Sequence, residues 1–255
     1  MRLHIKYLIS LYRAINNPRL SILAIDYSLA PEVVFPAALT EIATVYSELV
    51  DHDGCNNIIL SGDSAGGNLC IVLSAHLKHH YEDLSVPSRY VQPIAEVLIS
   101  PWVELDPVLQ GSYVSNKDSD VLGGSFLKEV SKLYCPDNKL QQSPFVNPAR
   151  SKPEFWEGVF PEKTLVTFGQ NEIMRDDIIK FARIASIEHR YGDIGGFHCS
   201  VLSAKNYDQN KLFNGIVSFI QRSLQQTVGL AAGEATAVDI EALESRNKVM
   251  RTSKL

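Results

Sequence analysis

The sequence lacks the features that would place it in several large functional classes. It has no block of basic residues and carries a net charge of −5, so the electrostatic footprint of a nucleic-acid binder is absent. No apolar stretch reaches the length of a membrane span. The opening, Met1 to Ile15, disperses Arg2, Lys6 and Arg13 among apolar residues. It has neither the uninterrupted apolar region nor the small-residue cleavage site of a secretory signal, and it reads as an amphipathic helix packed on a core. Only four cysteines occur, Cys55, Cys70, Cys135 and Cys199. None has zinc or redox spacing, so free thiols in a reducing compartment are expected. No internal repeat is visible.

What is present suits one α/β domain. The chain has 255 residues, of which 45% are hydrophobic and 21% charged, enough for a packed core. Helical spacing of Leu3, Tyr7, Leu8, Leu11 and Ile15 gives a first helix, stopped by Asn16-Asn17-Pro18. Ser21 to Tyr27 is an apolar run of strand length. Ala37 to Leu49 is a second helix, Asn57 to Leu60 a strand, Ala65 to Leu77 a helix, and Ile94 to Ile99 a buried-type strand. This alternation predicts a mostly parallel sheet covered by helices. Residues 101–162 break it. They hold many aromatics, prolines and glycines, with one helix over Phe126 to Leu133, and read as a cap-like insertion over one end of the sheet. Alternation resumes with a strand at Thr164 to Phe168, a helix at Asp176 to Ile187, a weakly marked strand between Glu188 and Leu202, and a helix at Leu212 to Leu224. The expected domain is 1–224. After it, aromatics vanish, and 225–255 reads as a mobile tail.

The chemistry centres on Gly62-Asp63-Ser64-Ala65-Gly66-Gly67. Gly62 to Gly66 fits G-x-S-x-G, set between a strand and a helix. A serine on so sharp a turn is held in a strained conformation. Side chains two positions either side would collide, which explains Gly62 and Gly66. The turn also aims the Ala65 amide, at a helix N-terminus, toward a developing oxyanion. A glycine-rich turn that happens to hold a serine is the competing reading.

A serine needs a base. Of seven histidines, His76, His79 and His80 follow the serine on its helix and read as solvated surface. His4, His52 and His189 lack a loop setting that suggests chemistry. His198 follows Gly195-Gly196-Phe197 at a flexible turn and is the candidate base, a buried structural histidine being the alternative. The base must be oriented by an acid. Glu172 lies just past a strand end, where α/β sites gather their side chains. Asp176 and Asp177 fall where a helix begins and suit capping. The order Ser, acid, His is that of α/β-hydrolases.

Asp26-Tyr27-Ser28-Leu29-Ala30-Pro31-Glu32, Phe35-Pro36-Ala37-Ala38-Leu39, the elbow GDSAGGNL, Ser100-Pro101-Trp102, Asn147-Pro148 and the segment Gly169 to Asp177 together resemble the hormone-sensitive-lipase-like branch of the α/β-hydrolases. Glutamate at 172, where aspartate is usual, is similar to fungal steryl deacetylase-like members. The resemblance spans about residues 3–224. It implies an α/β-hydrolase three-layer sandwich and a serine esterase with Ser64, Glu172 and His198 as triad and Ala65 as oxyanion donor. One departure stands out. The family's H-G-G-G loop, which supplies further oxyanion amides, occurs nowhere in the sequence, and Met1 stands only 25 residues before Asp26. The chain is thus expected to begin just after that loop, without the N-terminal strands. An interior strand would then be missing between Ser21 to Tyr27 and Asn57 to Leu60. The sheet would either close up there or leave backbone groups unpaired.

The function expected is hydrolysis of a hydrophobic or short-acyl carboxylic ester, with acetylated sterols a candidate from the resemblance. No metal or cofactor is needed. The alternative is a catalytically weak or inactive binding protein that lacks its oxyanion loop. The partner is a small-molecule ester, with no nucleic acid and no membrane span. The chain as it stands reads as cytoplasmic, and similar fungal enzymes imply an association with the endoplasmic reticulum through an N-terminal segment.

Overall fold

The centre of the sheet forms where apolar residues run closely together, in the second and third of its four strands. Ile59–Asp63 (β1), Ala95–Ile99 (β2), Thr164–Gly169 (β3) and His189–Asp193 (β4) line up in that order, and every neighbouring pair is parallel. In register, Leu60 faces Glu96, Glu96 faces Thr164, and Val166 faces Arg190. β2 and β3 are buried at every position, as strands covered on both faces require. The polar sequence of β4 suits its place at one edge, and its first three residues are exposed. β1 occupies the other edge and is only partly covered.

The computed structural model describes residues 2–82 and 84–228. Its helices are Arg2–Ile15 (α1), Ala37–Asp51 (α2), Ala65–His79 (α3), Ser112–Ser115 (α4), Gly124–Tyr134 (α5), Arg175–Ile184 (α6) and Lys211–Val228 (α7). Parallel neighbours need crossovers. α3 makes one between β1 and β2, and α6 makes one between β3 and β4. The link from β2 to β3 is the long insertion, built from α4, α5 and three short 3₁₀ turns. α3 packs on β1, β2 and α2, and for that reason all its residues from Gly67 to Leu77 are buried except Cys70. Met1–Ser223 forms one compact unit, and the second, Leu224–Leu255, is described only through Val228. The tail expected over 225–255 therefore lies almost entirely outside the described residues.

Two expectations are corrected. Ser21 to Tyr27 forms no strand, and its Ile22, Leu23 and Ile25 are exposed. An apolar run becomes a strand only when a neighbour pairs its amides, and among the described residues none does. His76 is not solvated surface but fully buried. Its Nδ1 accepts from the Tyr81 N–H at 2.9 Å, its Nε2 lies 2.9 Å from the Ser85 carbonyl, and burial holds its basicity below the ordinary imidazole range. Aromatics of the insertion, meanwhile, pack into the core. Phe145 meets Tyr81, Trp156 stacks on Phe160 at 5.4 Å and meets Phe181 edge-on. The cavity that Trp156 and Phe160 border, about 530 Å³, does not include Ser64, Glu172 or His198.

Candidate active site

Ser64 occupies the single residue between β1 and α3, at φ 52° and ψ −117°. That backbone conformation is strained for a residue with a side chain and is fixed by its surroundings. The Ser64 N–H donates to the Ile99 carbonyl at 3.0 Å, and the Ser64 carbonyl accepts from the Trp102 N–H at 3.0 Å. Asn68 adds a bond from its Nδ2 to the Trp102 carbonyl at 2.8 Å. A methyl at Gly62 would run into the Gly66 carbonyl, and one at Gly67 would come within 2.9 Å of the Pro101 Cα. Gly66 is a correction: a methyl there meets nothing within 4 Å, so the collision argument holds for Gly62 and not for Gly66. Ala65 opens α3, where the first N–H groups have no intrahelical acceptor and the helix dipole favours negative charge. His4, given no role from its sequence setting, places its Nε2 3.2 Å from Oδ2 of Asp63 and so joins α1 to the elbow.

Glu172 follows β3 and is completely buried. A buried carboxylate must be partnered. Its Oε2 accepts from the Ser100 hydroxyl at 2.6 Å and from the Gly169 N–H at 2.7 Å. Its Oε1 faces the His198 Nδ1 at 3.7 Å. That is too long for a hydrogen bond, and both atoms are buried with no other partner. Catalytic contacts are often loose before substrate binds.

The turn before His198 presses on the end of β3. A methyl at Gly169 would strike the Gly196 carbonyl, which accepts from the Asn171 N–H at 2.9 Å. After it, Cys199 sits in the left-handed region at φ 54°, with its N–H donating to Ser100 Oγ at 3.2 Å. Its sulfur lies 3.4 Å from the His198 Nε2 and 4.0 Å from the Ile99 carbonyl. Burial, followed by the charges of Asp63 and Glu172, pushes the Cys199 thiol up and keeps it protonated.

Of the three sequence-predicted residues, Ser64 follows β1, Glu172 follows β3 and His198 follows β4, and the structure brings them together unequally. Glu172 and His198 face each other directly. Ser64 reaches them through a shared neighbour, since its amide and the Cys199 sulfur both approach the Ile99 carbonyl. Ser64 Oγ makes no hydrogen bond to His198 among the described residues. Ser100, Asp120 and Cys199 were missed as site residues. Ser100 had a signal, since a serine directly after a buried strand and before Pro101 points to a tight strand exit. Asp120 and Cys199 had none. No group of three or more metal-ligating side chains occurs among the described residues.

A parallel sheet with crossover helices, a serine held on a strained strand–turn–helix corner, and a buried carboxylate facing an imidazole define the class: an α/β hydrolase. A family profile described as alpha/beta hydrolase fold matches residues 11–188, and the chain belongs to that family. Among curated relatives, an "Esterase" of Acinetobacter venetianus is 32% identical over 167 residues, covering 65% of this chain and 51% of its own. A Schizosaccharomyces pombe protein, named provisionally as steryl acetyl hydrolase mug81, is 34% identical over 181 residues, covering 68% of this chain and 46% of its own. The chain thus spans about half the length of these curated relatives. A crystal structure of an esterase from the bacterial hormone-sensitive lipase family superposes with a TM-score of 0.73 at 25% identity, covering 88% of this chain and 72% of that one. The motif-based resemblance to the hormone-sensitive-lipase-like branch agrees with these relatives.

Proposed function

We propose that the chain hydrolyses a carboxylic ester through a Ser64 acyl-enzyme. In this reading Ser64 Oγ attacks the acyl carbon while His198 takes its proton. Glu172 Oε1, facing Nδ1, stabilises the imidazolium that forms. The Ala65 N–H donates to the oxyanion from the positive end of α3. His198 then returns the proton to the leaving alcohol, and water releases the acyl group by the same relay. The single observation that carries the reading is the buried approach of Glu172 Oε1 to His198 Nδ1, 3.7 Å, alongside a serine in an elbow conformation. The substrate class we favour is a hydrophobic alcohol esterified with a short acyl group. Acetylated sterols are a candidate, because a relative carries that name.

A second reading has one observation in its favour. His198 Nε2 faces the Cys199 sulfur rather than the Ser64 hydroxyl, which suits a catalytically weak or inactive binding protein. A fluorophosphonate probe separates the two. Labelling of the wild type and not of Ser64→Ala supports the hydrolase, and a folded wild type that takes no label supports the binding protein.

A further inference from the structure

The carboxylate of Asp120 lies in the insertion between β2 and β3, remote in sequence from all three proposed triad residues, yet it holds two of their loops. Its Oδ2 accepts from the Ile173 N–H at 2.7 Å, the peptide directly after Glu172. Its Oδ1 accepts from the His198 N–H at 2.9 Å and from the Val121 N–H at 2.7 Å. Two loops separated by a whole crossover unit thus end on one rigid three-atom group. Charge-assisted bonds of this kind are the strong class of hydrogen bond.

The residues around it point the same way. Asn116 Nδ2 donates to the carbonyls of Gln170, 3.1 Å, and Glu172, 2.9 Å. Ser112 Oγ donates to the Ile173 carbonyl at 2.6 Å. The peptides around the acid are therefore bound from the insertion on both their donor and acceptor sides. Among the described residues, the loop of His198 makes one hydrogen bond to it, from the His198 N–H to Asp120.

We propose that Asp120 is a positioning residue for the Glu172–His198 pair: its carboxylate sets the separation between acid and base by holding the amides of Ile173 and His198 together. The proposal rests on the hydrolase reading above. Asp120 touches no reacting atom in this scheme. It acts through the main chain, and a misplacement of about 1 Å at such a pair can cost about 10²-fold in rate.

The test uses the chain with Asp120→Asn and Asp120→Ala. Asparagine keeps the volume but offers one acceptor oxygen in place of two, so it can hold one loop and not both. Sites are counted with the fluorophosphonate probe, and turnover of p-nitrophenyl acetate is expressed per labelled site. Asp120→Ala is expected to lower kcat per site by about 10- to 10²-fold with KM little changed, and Asp120→Asn to fall between it and the wild type. A merely structural role would instead reduce the number of sites and leave kcat per site unchanged, and that result overturns the proposal. Amide hydrogen exchange supplies a reading that does not need activity. Ile173 and His198 are expected to lose protection together in Asp120→Ala while Leu98 and Val166 keep theirs; unchanged protection at the first two also overturns it. A wild type that takes no label at Ser64 overturns the hydrolase reading, and the clamp then stands or falls on exchange alone.

Discussion

Ser64 and the Glu172–His198 pair hang from opposite halves of one sheet, and the halves are built differently. β3, below Glu172, pairs on both sides and is buried at all six residues. β1, below Ser64, pairs on one side, and none of its five residues is fully buried. Ser21 to Tyr27 is as apolar as β3 and reads equally well as a strand, yet it is unpaired and exposes Ile22, Leu23 and Ile25. Composition supplies the tendency to extend. A ladder neighbour converts it into a strand by satisfying the amides and covering the side chains. Glu172 stands at the end of a strand where both conditions are met, whereas Ser64 and His198 follow the edge strands β1 and β4, each paired on one side only.

The sharpest way to test that contrast is to disable the well-built half without disturbing its packing. Glu172→Gln keeps the volume and removes the charge facing His198. It is expected to lower kcat on p-nitrophenyl acetate by about 10³–10⁴-fold. A loss below tenfold would mean that the ordered half does not govern the chemistry.

Stability should show the same asymmetry at smaller scale. Leu98 on β2 is completely buried, whereas Leu23 is 60% exposed. Leu98→Ala is expected to cost about 2–5 kcal/mol in urea unfolding. Leu23→Ala should stay within about 0.5 kcal/mol of the wild type. Equal effects would break the comparison.

A subtler effect arises within the ordered half. Glu96 on β2 is fully buried, and its Oε1 accepts from the Ser74 hydroxyl at 2.5 Å while Oε2 has no partner. Burial raises its carboxyl from 4.5 to about 8, against a smaller lowering by Ser74. The folded state therefore holds this proton more tightly than the unfolded one. The contribution to stability is fully present below about 4.5 and is lost as pH rises toward about 8. Urea midpoints between pH 5 and 9 should fall with pH in the wild type, and Glu96→Gln should flatten that slope.

Much of the architecture was legible because the alternation of helical and strand patterns is local. β2, β3, α3 and α7 follow directly from apolar periodicity, and the elbow follows from the glycines around Ser64. Glu172 and His198 are singled out by their place after a strand and after a glycine turn, and the structure sets them 3.7 Å apart. The rest depended on partners that a sequence does not display. His76 looks like a polar residue near a helix end, and only the layer over α3 reveals its burial. Ser21 to Tyr27 carries the right residues without the neighbour that would pair it. Asp120 is one acidic residue among many until the main-chain amides of two distant loops are seen to end on it.

The contact between Gly169 and Gly196 sets a limit for anyone reshaping this molecule. Strand end and base loop touch there with only hydrogen at the Gly169 Cα, so any larger side chain at 169 drives the two apart and carries the imidazole with them. Libraries that vary that position spend their diversity on misfits. Position 66 is the opposite case, with open space around its Cα, and redesign of the turn that carries Ser64 has its natural starting point there.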